Sequence, residues 1–510
     1  MTGVSVSGLE QRLAAVQRGG NQSVTAQIVE TFVAAIASGE LVAGDKLPPT
    51  RRLAELAAVN QLTAGRCYRR LAERGLVVSE VGRGTFVRAA VAPAGRPVGA
   101  RDASWQTYVL PPERGGSAGW ILTELAQQMG DEAAGLIPLS AGYPPSELIP
   151  VELLAQASAA EIASHGAASF EYGPVAGQGS LRSELARLGR TRGLDDDAGS
   201  ILVTTGARQA ITLAVRALLR AGDKVACESP TYMGIIDALQ AVEAEILPVP
   251  VDADGLDTDA LEALLRRHEI RMVALQPRLQ NPTGADLSTE RRAHLVELAR
   301  RHGFFILEDA VYADLRFAGA DPGPLRALAP AHVIYLDSFS KSLGPGLRAG
   351  WIAASGPVRD RLVAEKRGDD AHGATLPQQI VAKFLADGCY AEQLERARAL
   401  HRERRDVLLA AVDQELGELV SYRLPQGGGH VWVTLNEPCD DARLYRDALA
   451  AGVSFVPGST MLVERPHATH LRLSFGRLDN DTAREGVRRL AGVIRAQRED
   501  RRERASLPVN

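Results

Sequence analysis

Cysteine is scarce in this sequence, and the few residues present lie far apart. They form no CxxC pair and no spacing typical of a metal site: Cys67, Cys227, Cys389 and Cys439. This excludes a disulfide scaffold of the kind found in small secreted proteins, and a paired-cysteine metal centre. We therefore expect reduced structural thiols, no metal site and a cytoplasmic protein.

Two other classes of protein are excluded by what is missing. No apolar run reaches the roughly 18 residues that a membrane-spanning helix needs, and the N-terminus lacks the layout of a signal peptide. Basic and acidic residues nearly balance, 58 against 62, which excludes a uniformly basic nucleic-acid coat but permits a local basic region. With 510 residues and 45% hydrophobic content, the chain can bury large cores, and about three domain-sized units are expected.

The first ninety residues have the pattern of a small helical domain that ends in two strands. Apolar residues at helical spacing predict a helix from Val24 to Ile36, and Leu47-Pro48-Pro49 precedes a second helix with Thr50 as its N-cap. A third helix and two strands follow, over 62–74, 76–78 and 85–87, and the turn between the strands contains Gly82-Arg83-Gly84. This order predicts a winged helix-turn-helix.

This region is locally basic in a chain whose net charge is −4. Between residues 45 and 88, nine basic residues stand against four acidic ones: Lys46, Arg51, Arg52, Arg66, Arg69, Arg70, Arg74, Arg83 and Arg88 against Asp45, Glu55, Glu73 and Glu80. Arginines on a lone helix are usually its solvated face. The neighbouring turn and wing favour contact with DNA phosphates instead.

Three motifs of this region resemble the GntR family of bacterial winged-helix repressors: Gly44-Asp45-Lys46-Leu47-Pro48-Pro49-Thr50-Arg51, Arg70-Leu71-Ala72-Glu73-Arg74-Gly75-Leu76 and Gly82-Arg83-Gly84-Thr85-Phe86-Val87. The resemblance implies double-stranded DNA as partner, as an operator with repeated half-sites. It implies backbone contact by Arg51 and Arg52. It places the helix after Gln61 in the major groove and the wing tip in the minor groove, with Thr63, Arg66, Arg69, Arg70, Gly82 and Arg83 at the interface.

After a linker rich in alanine, proline and glycine, the chain changes character. Short apolar strands alternate with helical patterns, which predicts an α/β domain with a largely parallel sheet. The expected strands are 201–203, 225–227, 272–275, 304–307, 333–336 and 351–353. Ligands of such sheets gather beyond the carboxyl ends of the strands. Earlier in the chain, Trp105, Tyr108, Trp120 and Ile121 are expected to pack partly against this domain.

The most informative of these strand ends is Ser338-Phe-Ser-Lys341-Ser-Leu-Gly-Pro-Gly-Leu-Arg348. Its lysine could form a Schiff base with an aldehyde, while the hydroxyls and the arginine hold a phosphate. By itself such a stretch is more often a solvated loop.

Other strand ends carry polar or aromatic residues that suit the same ligand: Gly206-Ala207-Arg208 at a helix start, Tyr232, Asn281-Pro-Thr-Gly, and Asp309 with Tyr312. Each has a plainer alternative, such as an ordinary helix start, a core tyrosine or a turn. Arg472, on a later strand, is either an edge residue or a clamp for a carboxylate. The run Gly427-Gly428-Gly429-His430 is expected to be a turn.

In their joint order these motifs resemble the fold-type I aminotransferases over residues 136–490. The resemblance implies pyridoxal 5'-phosphate (PLP) on Lys341, with Asp309 at the ring nitrogen, Asn281 and Tyr312 at the phenolic oxygen and Tyr232 stacked on the ring. It places the phosphate at Gly206, Ala207, Arg208, Ser338, Ser340 and Arg348, with Tyr172 reaching across a homodimer to the neighbouring subunit. It assigns the substrate to Arg472, Gly142 and Asn281, and catalysis to Lys341, Asp309 and Tyr312.

The whole chain, a GntR-like head and an aminotransferase-like body, resembles the MocR subfamily of bacterial regulators. We expect a flexible arm over 1–20, the head over 21–90, a linker over 91–135, the body over 136–495 and a charged, solvated tail over 496–510. The resemblance implies a transcriptional regulator that senses an amine or amino acid effector through an aldimine at Lys341. A working aminotransferase acting on an amino acid is the alternative, and PLP itself as the effector is a third.

Overall fold

The computed structural model describes residues 7–14, 16, 24–37, 41, 45–73, 76–80, 84–87, 121, 135–464 and 468–506. The chain divides into two compact units, Met1–Glu113 and Arg114–Asn510. The expected linker over 91–135 falls almost wholly outside the described residues, with Trp105, Tyr108 and Trp120. Ile121 is described and is fully buried in a core of the second unit.

The described residues of the first unit, the head, form four helices and a two-stranded antiparallel wing. The helices are α1 (Ser7–Ala14), α2 (Val24–Ala37), α3 (Thr50–Leu56) and α4 (Gln61–Glu73), and the strands are β1 (Val77–Glu80) and β2 (Gly84–Val87). Helix α4 buries Ala64, Cys67, Tyr68 and Leu71, which recur every three or four residues as one apolar face. The predicted winged helix-turn-helix order is present.

Two details of the head differ from the prediction. Residues 7–14 form a helix rather than a loose arm, because Leu9 and Leu13 lie on one helical face and are buried in the core of the head. Thr50 is the first helical residue of α3 and not its N-cap, because the carbonyl of Pro49 already accepts the hydrogen bond from Leu53 N, at 2.9 Å. Thr50 therefore cannot cap the helix from outside it.

The second unit, the body, is organised around an eight-stranded sheet in the order β4-β11-β10-β9-β8-β5-β6-β7. Six strands are parallel, while β11 and β7 run antiparallel to their neighbours. The strands are β4 (Ile201–Thr204), β5 (Lys224–Ser229), β6 (Glu245–Asp252), β7 (Gly255–Leu256), β8 (Ile270–Leu275), β9 (Phe305–Asp309), β10 (Val333–Ser338) and β11 (Gly350–Ala353). The predicted largely parallel sheet is confirmed.

Helices cover both faces of this sheet, which explains why the central strands are apolar along almost their whole length. They are α5 (Val151–His165), α6 (Gly179–Thr191), α7 (Ala207–Leu218), α8 (Met233–Ala241), α9 (Thr258–Leu265), α10 (Thr289–His302), α11 (Gly356–Asp369), α12 (Thr375–Ala386) and α13 (Cys389–Glu415). Buried parallel strands carry their polar residues at their ends, and this places the site.

A smaller four-stranded sheet completes the body, in the order β12-β13-β16-β15. It packs with α13, α14 and α15 around an apolar core of its own. The elements are β3 (Ile137–Pro138), β12 (Val420–Tyr422), β13 (His430–Leu435), α14 (Asp441–Ala450), β14 (Val453–Ser454), β15 (Val456–Pro457), β16 (His470–Ser474) and α15 (Asn480–Ser506), with β3 pairing with β14. No helix of the described residues is long and apolar enough to span a membrane.

The expected charged tail begins in the middle of a helix. Helix α15 runs to Ser506 without a break at residue 495. Two of its charged side chains form ion pairs with the rest of the body: Arg498 lies 2.7 Å from Glu437 and Asp500 lies 2.8 Å from Arg443. The boundary at 495 is therefore wrong, since these ion pairs continue the packing of α15 against the body. All four cysteines are unpaired.

Candidate functional site

The parallel strands of the large sheet deliver the predicted polar residues to one edge. Strand β9 ends at Asp309, β10 ends at Ser338, and helix α7 begins just beyond the end of β4. Lys341 follows β10 and donates a hydrogen bond to the carbonyl of Gly142. Burial lowers the pKa of its amine, which favours the neutral, nucleophilic form.

Asp309 is the buried acid of this edge. Its side chain accepts from Gln276 Nε2 at 2.8 Å and from Val311 N at 3.1 Å. Burial raises the pKa of Asp309 to about 6, while its hydrogen bonds and the charge of Lys341 act in the opposite direction. A buried carboxyl with so few partners is stabilised by a cation placed against it.

Gln276 connects this acid to Asn281. Its side-chain oxygen accepts from Asn281 N at 3.0 Å, so one amide side chain holds both predicted residues in place. The backbone N–H of Gln276 donates to Glu228, at 2.9 Å, and burial raises the pKa of Glu228 to about 8. Neither Gln276 nor Glu228 was among the site residues predicted from the sequence. Their signal was polar residues at the ends of apolar strands.

Tyr312 lies beside Lys341 and Gly142. Its ring centroid is 5.7 Å from Lys341 Nζ, and a Cβ placed on Gly142 would be 3.6 Å from the hydroxyl of Tyr312. Its ring meets that of His430 edge-on at 5.1 Å. His430 is buried, and burial holds its pKa well below the usual range, so the ring is neutral. His430 was predicted to be part of a turn, and this contact was not predicted.

Arg472 completes the polar wall opposite the large sheet. It is 6% exposed, donates to Asn281 Oδ1 at 3.3 Å and to the carbonyl of Ser140 at 3.0 Å, and its buried Nε has no hydrogen-bond partner among the described residues. A Cβ on Gly142 would lie 3.5 Å from Arg472 Nη2. A buried guanidinium with only neutral oxygens around it has capacity for a carboxylate.

A second corner of the site combines a helix N-terminus with hydroxyls and an arginine. The guanidinium of Arg348 lies about 3.3 Å from where a Cβ on Gly206 would be, at the start of helix α7. Ser338 Oγ lies 2.9 Å from Ser340 Oγ. Free N–H groups at a helix start together with a cation form a phosphate-binding environment.

Arg208 takes part in this corner only through its backbone. Its side chain points away and pairs with Asp237 at 2.8 Å. Tyr232 is partly buried and its ring lies over Gly234, where an added Cβ would be only 2.5 Å from Cε1. Tyr172 stands apart from all of these, with 92% of its surface exposed and its ring against His372 at 4.9 Å.

A buried ionic network supports the loop that carries Lys341. Arg192 pairs with Asp337 at 2.7 Å and with Asp314, and Tyr390 donates to Asp314 at 2.9 Å. The hydroxyl of Tyr390 also lies 2.8 Å from Ser342 Oγ. Asp337 directly precedes the loop and Ser342 belongs to it, so both sides of Lys341 are anchored. Residues so distant in sequence give no local signal of this network.

In the head, the predicted DNA-binding side chains are exposed. Arg66, Arg69 and Arg70 lie on the open face of α4, and Thr63 is half-buried near its start, where its N–H donates to Asn60 Oδ1 at 2.7 Å. The side chains of Arg51 and Arg52 are 83% and 52% exposed and share Glu55 as an ion-pair partner. The predicted wing-tip residues Gly82 and Arg83 lie outside the described residues.

Comparison with known proteins decides what the body is. The family model of class I and II aminotransferases matches residues 134–490. The chain belongs to this family. Residues 24–87 match the model of bacterial regulatory proteins of the gntR family.

Relatives of the body are aminotransferases. Over 365 residues the chain is 36% identical to 2-aminoadipate transaminase of Thermus thermophilus, covering 71% of this chain and 90% of that enzyme. The crystal structure of LysN, the α-aminoadipate aminotransferase of that organism, complexed with N-(5'-phosphopyridoxyl)-L-leucine, matches with a TM-score of 0.68 and 34% identity, over 74% of this chain and 99% of that one.

Relatives along nearly the full length are regulators. The probable rhizopine catabolism regulatory protein MocR of Rhizobium meliloti is 27% identical over 476 residues, covering 92% of this chain and 93% of that protein. The resemblance stated from the motifs is confirmed: a GntR-type head joins an aminotransferase body, as in MocR-type regulators, and PLP is the cofactor of this fold.

The residues of this aminotransferase body fit PLP. Asp309 is a buried acid with few partners and suits the ring nitrogen. The amine of Lys341, whose pKa is lowered by burial, suits the aldehyde. The corner formed by Arg348 and the start of α7 suits the phosphate. Opposite them, the buried Nε of Arg472 has no hydrogen-bond partner among the described residues and is a donor that an anionic group could satisfy. The chemistry of the donors therefore agrees with the family.

Proposed function

We propose that this protein is a PLP-dependent DNA-binding transcriptional regulator that responds to an amino compound at Lys341. One observation carries the proposal: aminotransferase-type residues at one edge of the body, with Asp309 and Arg472 buried, and an exposed arginine face on a winged head occur in one chain. Catalysis by the body does not require a DNA-binding head. The regulator is the function that uses both units.

In this proposal each residue of the body holds one part of the cofactor. When bound, PLP supplies an aldehyde that condenses with amines and a ring that withdraws electrons. Lys341 would hold the aldehyde through its amine, Asp309 would pair with the ring nitrogen and keep it protonated, and Tyr232 would stack on the ring. Asn281 and Tyr312 donate to the phenolic oxygen. The phosphate is held by the backbone of Gly206, Ala207 and Arg208 and by Ser338, Ser340 and Arg348.

Arg472 selects an effector or substrate with a carboxylate. Its guanidinium is buried, and it contacts only the neutral oxygens of Asn281 and Ser140. A carboxylate replaces those weak contacts with a charge-assisted pair, at a site from which water is largely excluded. Gly142 leaves room for the ligand, because a Cβ there would crowd both Arg472 and Tyr312. The proposed ligand class is therefore an α-amino acid.

Exposed apolar residues around α5 support a homodimer as part of the proposal. Tyr172 is 92% exposed, Phe170 68% and Val151 58%, which is costly for a monomer in water. In the proposed dimer Tyr172 crosses to the phosphate of the neighbouring subunit, so each site is complete only with its partner. The dimer also presents two heads, which suits an operator with repeated half-sites.

The amine of Lys341 is the proposed link between effector and DNA. With PLP bound, an amino compound would compete with Lys341 for the cofactor. Release of Lys341 and engagement of Arg472 would then shift the body between two states with different DNA affinity. Head residues Arg51, Arg52, Thr63, Arg66, Arg69 and Arg70 contact the operator, with Gly82 and Arg83 at the wing tip.

The test uses Lys341→Ala and an operator selected by the protein from a random DNA pool. We expect the variant to lose the visible absorption of the lysine-bound cofactor and the effect of amino compounds on DNA binding. Lys383→Ala, a matched control at a partly exposed position of α12, keeps both. The proposal fails if Lys341→Ala binds DNA and responds to the effector as the wild type does.

A working aminotransferase is the second candidate, because Lys341, Asp309, Arg348 and Arg472 are all present and the body's relatives are transaminases. Absorption spectra separate the two functions. Addition of an amino acid to the holoprotein leaves a stable shifted band if the protein senses, whereas conversion to the pyridoxamine form with release of a keto acid shows turnover. DNA binding that changes on adding PLP alone would identify the cofactor itself as effector.

A further inference from the structure

On the edge of the large sheet opposite the cofactor site lies an open, positively charged cleft with a volume of about 760 Å³. Its floor is formed at the amino ends of β5, β8 and β9, near Lys224, Arg271 and Phe305. We call it the basic cleft and define it by its cationic lining: Arg220, Lys224, Arg267, His268, Arg271 and Arg361. The proposed sensing mechanism uses none of these residues.

The charge of the basic cleft is largely uncompensated. Its two acids are Asp223 and Glu269, and Asp223 already accepts the backbone N–H of Arg220 at 2.8 Å. Lys224 is paired with Glu245 at 3.7 Å. Within the described part of the chain, the guanidinium groups of Arg220, Arg267, Arg271 and Arg361 make no ion pair. Four free guanidinium groups around one cleft, in a chain of net charge −4, mark an anion-binding surface.

The exposure of these arginines favours an extended anion over a small one. A small-molecule site buries about 70–90% of its ligand's surface. Here all four arginines are exposed to solvent along an open cleft. Duplex DNA presents about one negative charge per 1.7 Å of axis, and guanidinium groups bind phosphates in bidentate fashion.

We propose that the basic cleft of the body binds the phosphate backbone of DNA that flanks the operator. The proposal rests on the proposed regulator function and extends it from the head to the body. The sequence matched by the head spans only residues 24–87, so contacts by the body lengthen the DNA that one chain engages.

The test compares two duplexes: the operator selected by the protein with flanks of about 20 base pairs on each side, and the same operator trimmed. The cleft variant carries Arg220→Gln, Arg267→Gln, Arg271→Gln and Arg361→Gln. The matched control removes four other exposed arginines of the body, Arg190→Gln, Arg367→Gln, Arg396→Gln and Arg402→Gln. Both changes alter the net charge equally, so general electrostatic attraction is held constant.

We expect the wild type and the control to bind the flanked duplex more tightly than the trimmed one, and the cleft variant to bind both alike. The slope of log K against log salt on the flanked duplex should fall by about 3 to 4 in the cleft variant. The proposal is overturned if the cleft variant keeps the advantage of the flanks, or if tripolyphosphate binds the cleft while the flanks change nothing, which would indicate a small-anion site. A wild type that selects no operator refutes the regulator function itself, and that outcome is distinct.

Discussion

The head and the body use arginine in opposite ways. On α4 of the head, Arg66, Arg69 and Arg70 are exposed and line one open face. In the body's site, Arg472 is 6% exposed and lies against the carbonyl of Ser140 and the amide of Asn281. An exposed cation is hydrated and adds to binding in small, salt-screened increments, whereas a buried one is poised to take a specific anion.

Under the proposed function, this difference separates affinity for DNA from selectivity for an effector. Phosphate contacts need many weak, replaceable charges, and the head supplies them on a small fold. Recognition of an amino acid needs few charges held rigidly away from water, and only the large core of the body provides that. The predictions below test this contrast, beginning with the largest expected effect.

Replacing Arg472 should affect ligands only if they carry a carboxylate. We expect Arg472→Ala to weaken binding of a responsive amino acid by about 2–5 kcal/mol, because the carboxylate loses a desolvated cation. The corresponding amine, which lacks the carboxylate, should bind the variant and the wild type alike. Titrating the cofactor absorption with both compounds measures the two affinities. Equal losses for amine and amino acid would show that Arg472 does not recognise the carboxylate.

Truncating a buried side chain in the head should lower the free energy of unfolding as much as the same change in a larger core. Leu13 is fully buried, so Leu13→Ala should lower the free energy of unfolding of the head by about 2–5 kcal/mol. Leu62, at 77% exposure, offers the control: Leu62→Ala should change it by no more than about 0.5 kcal/mol. Urea unfolding followed on the full chain gives both values. If the two variants have the same free energy of unfolding, α1 does not contribute to the stability of the head.

Asp309 should make the cofactor-free protein sensitive to pH. Its pKa is about 6 in the folded protein and about 3.9 in an unfolded chain. Because the folded pKa is raised, the stability linked to the protonated acid is present below about pH 4 and is lost as the pH rises through 6.

We therefore expect cofactor-free Asp309→Asn to gain about 2–3 kcal/mol relative to wild type between pH 4.5 and 8. Melting temperatures of both proteins across this range measure the difference. Comparing the two cancels the contribution of the buried Asp337. The contribution of Glu228 cancels only in part, because the charge of Asp309 also raises the pKa of Glu228. Parallel curves would contradict the assignment.

Replacing a single exposed arginine of the head should have the smallest effect, a small change in the salt dependence of DNA binding. Arg69→Ala should leave the free energy of unfolding within about 0.5 kcal/mol of wild type. It should reduce the slope of log K against log salt for DNA binding by about 0.9, the value for one phosphate contact. Arg396→Ala, an exposed arginine on α13, should leave the slope unchanged. A fall in stability instead of slope would place Arg69 among the structural residues.

Much of the site could be predicted because polar residues follow the apolar runs that form the strands. Asp309, Asn281 and Lys341 each follow an apolar run, and parallel strands bring such residues together at one edge. Gln276 and His430 were missed, although one holds Asp309 and the other meets Tyr312. A glutamine before a proline and a histidine after three glycines have no distinguishing spacing, so their roles depend on contacts far apart in sequence.

The local patterns of the sequence determined the two folds, their order and the polar residues at the strand ends, because periodicity and turn chemistry act over a few residues. Only the tertiary structure decided that Arg208 turns away to Asp237, that Arg192 anchors the Lys341 loop through Asp337 and Asp314, and that four unpaired arginines share the basic cleft. Burial and pairing of charges arise between segments distant in the chain. They therefore leave no local pattern in the sequence.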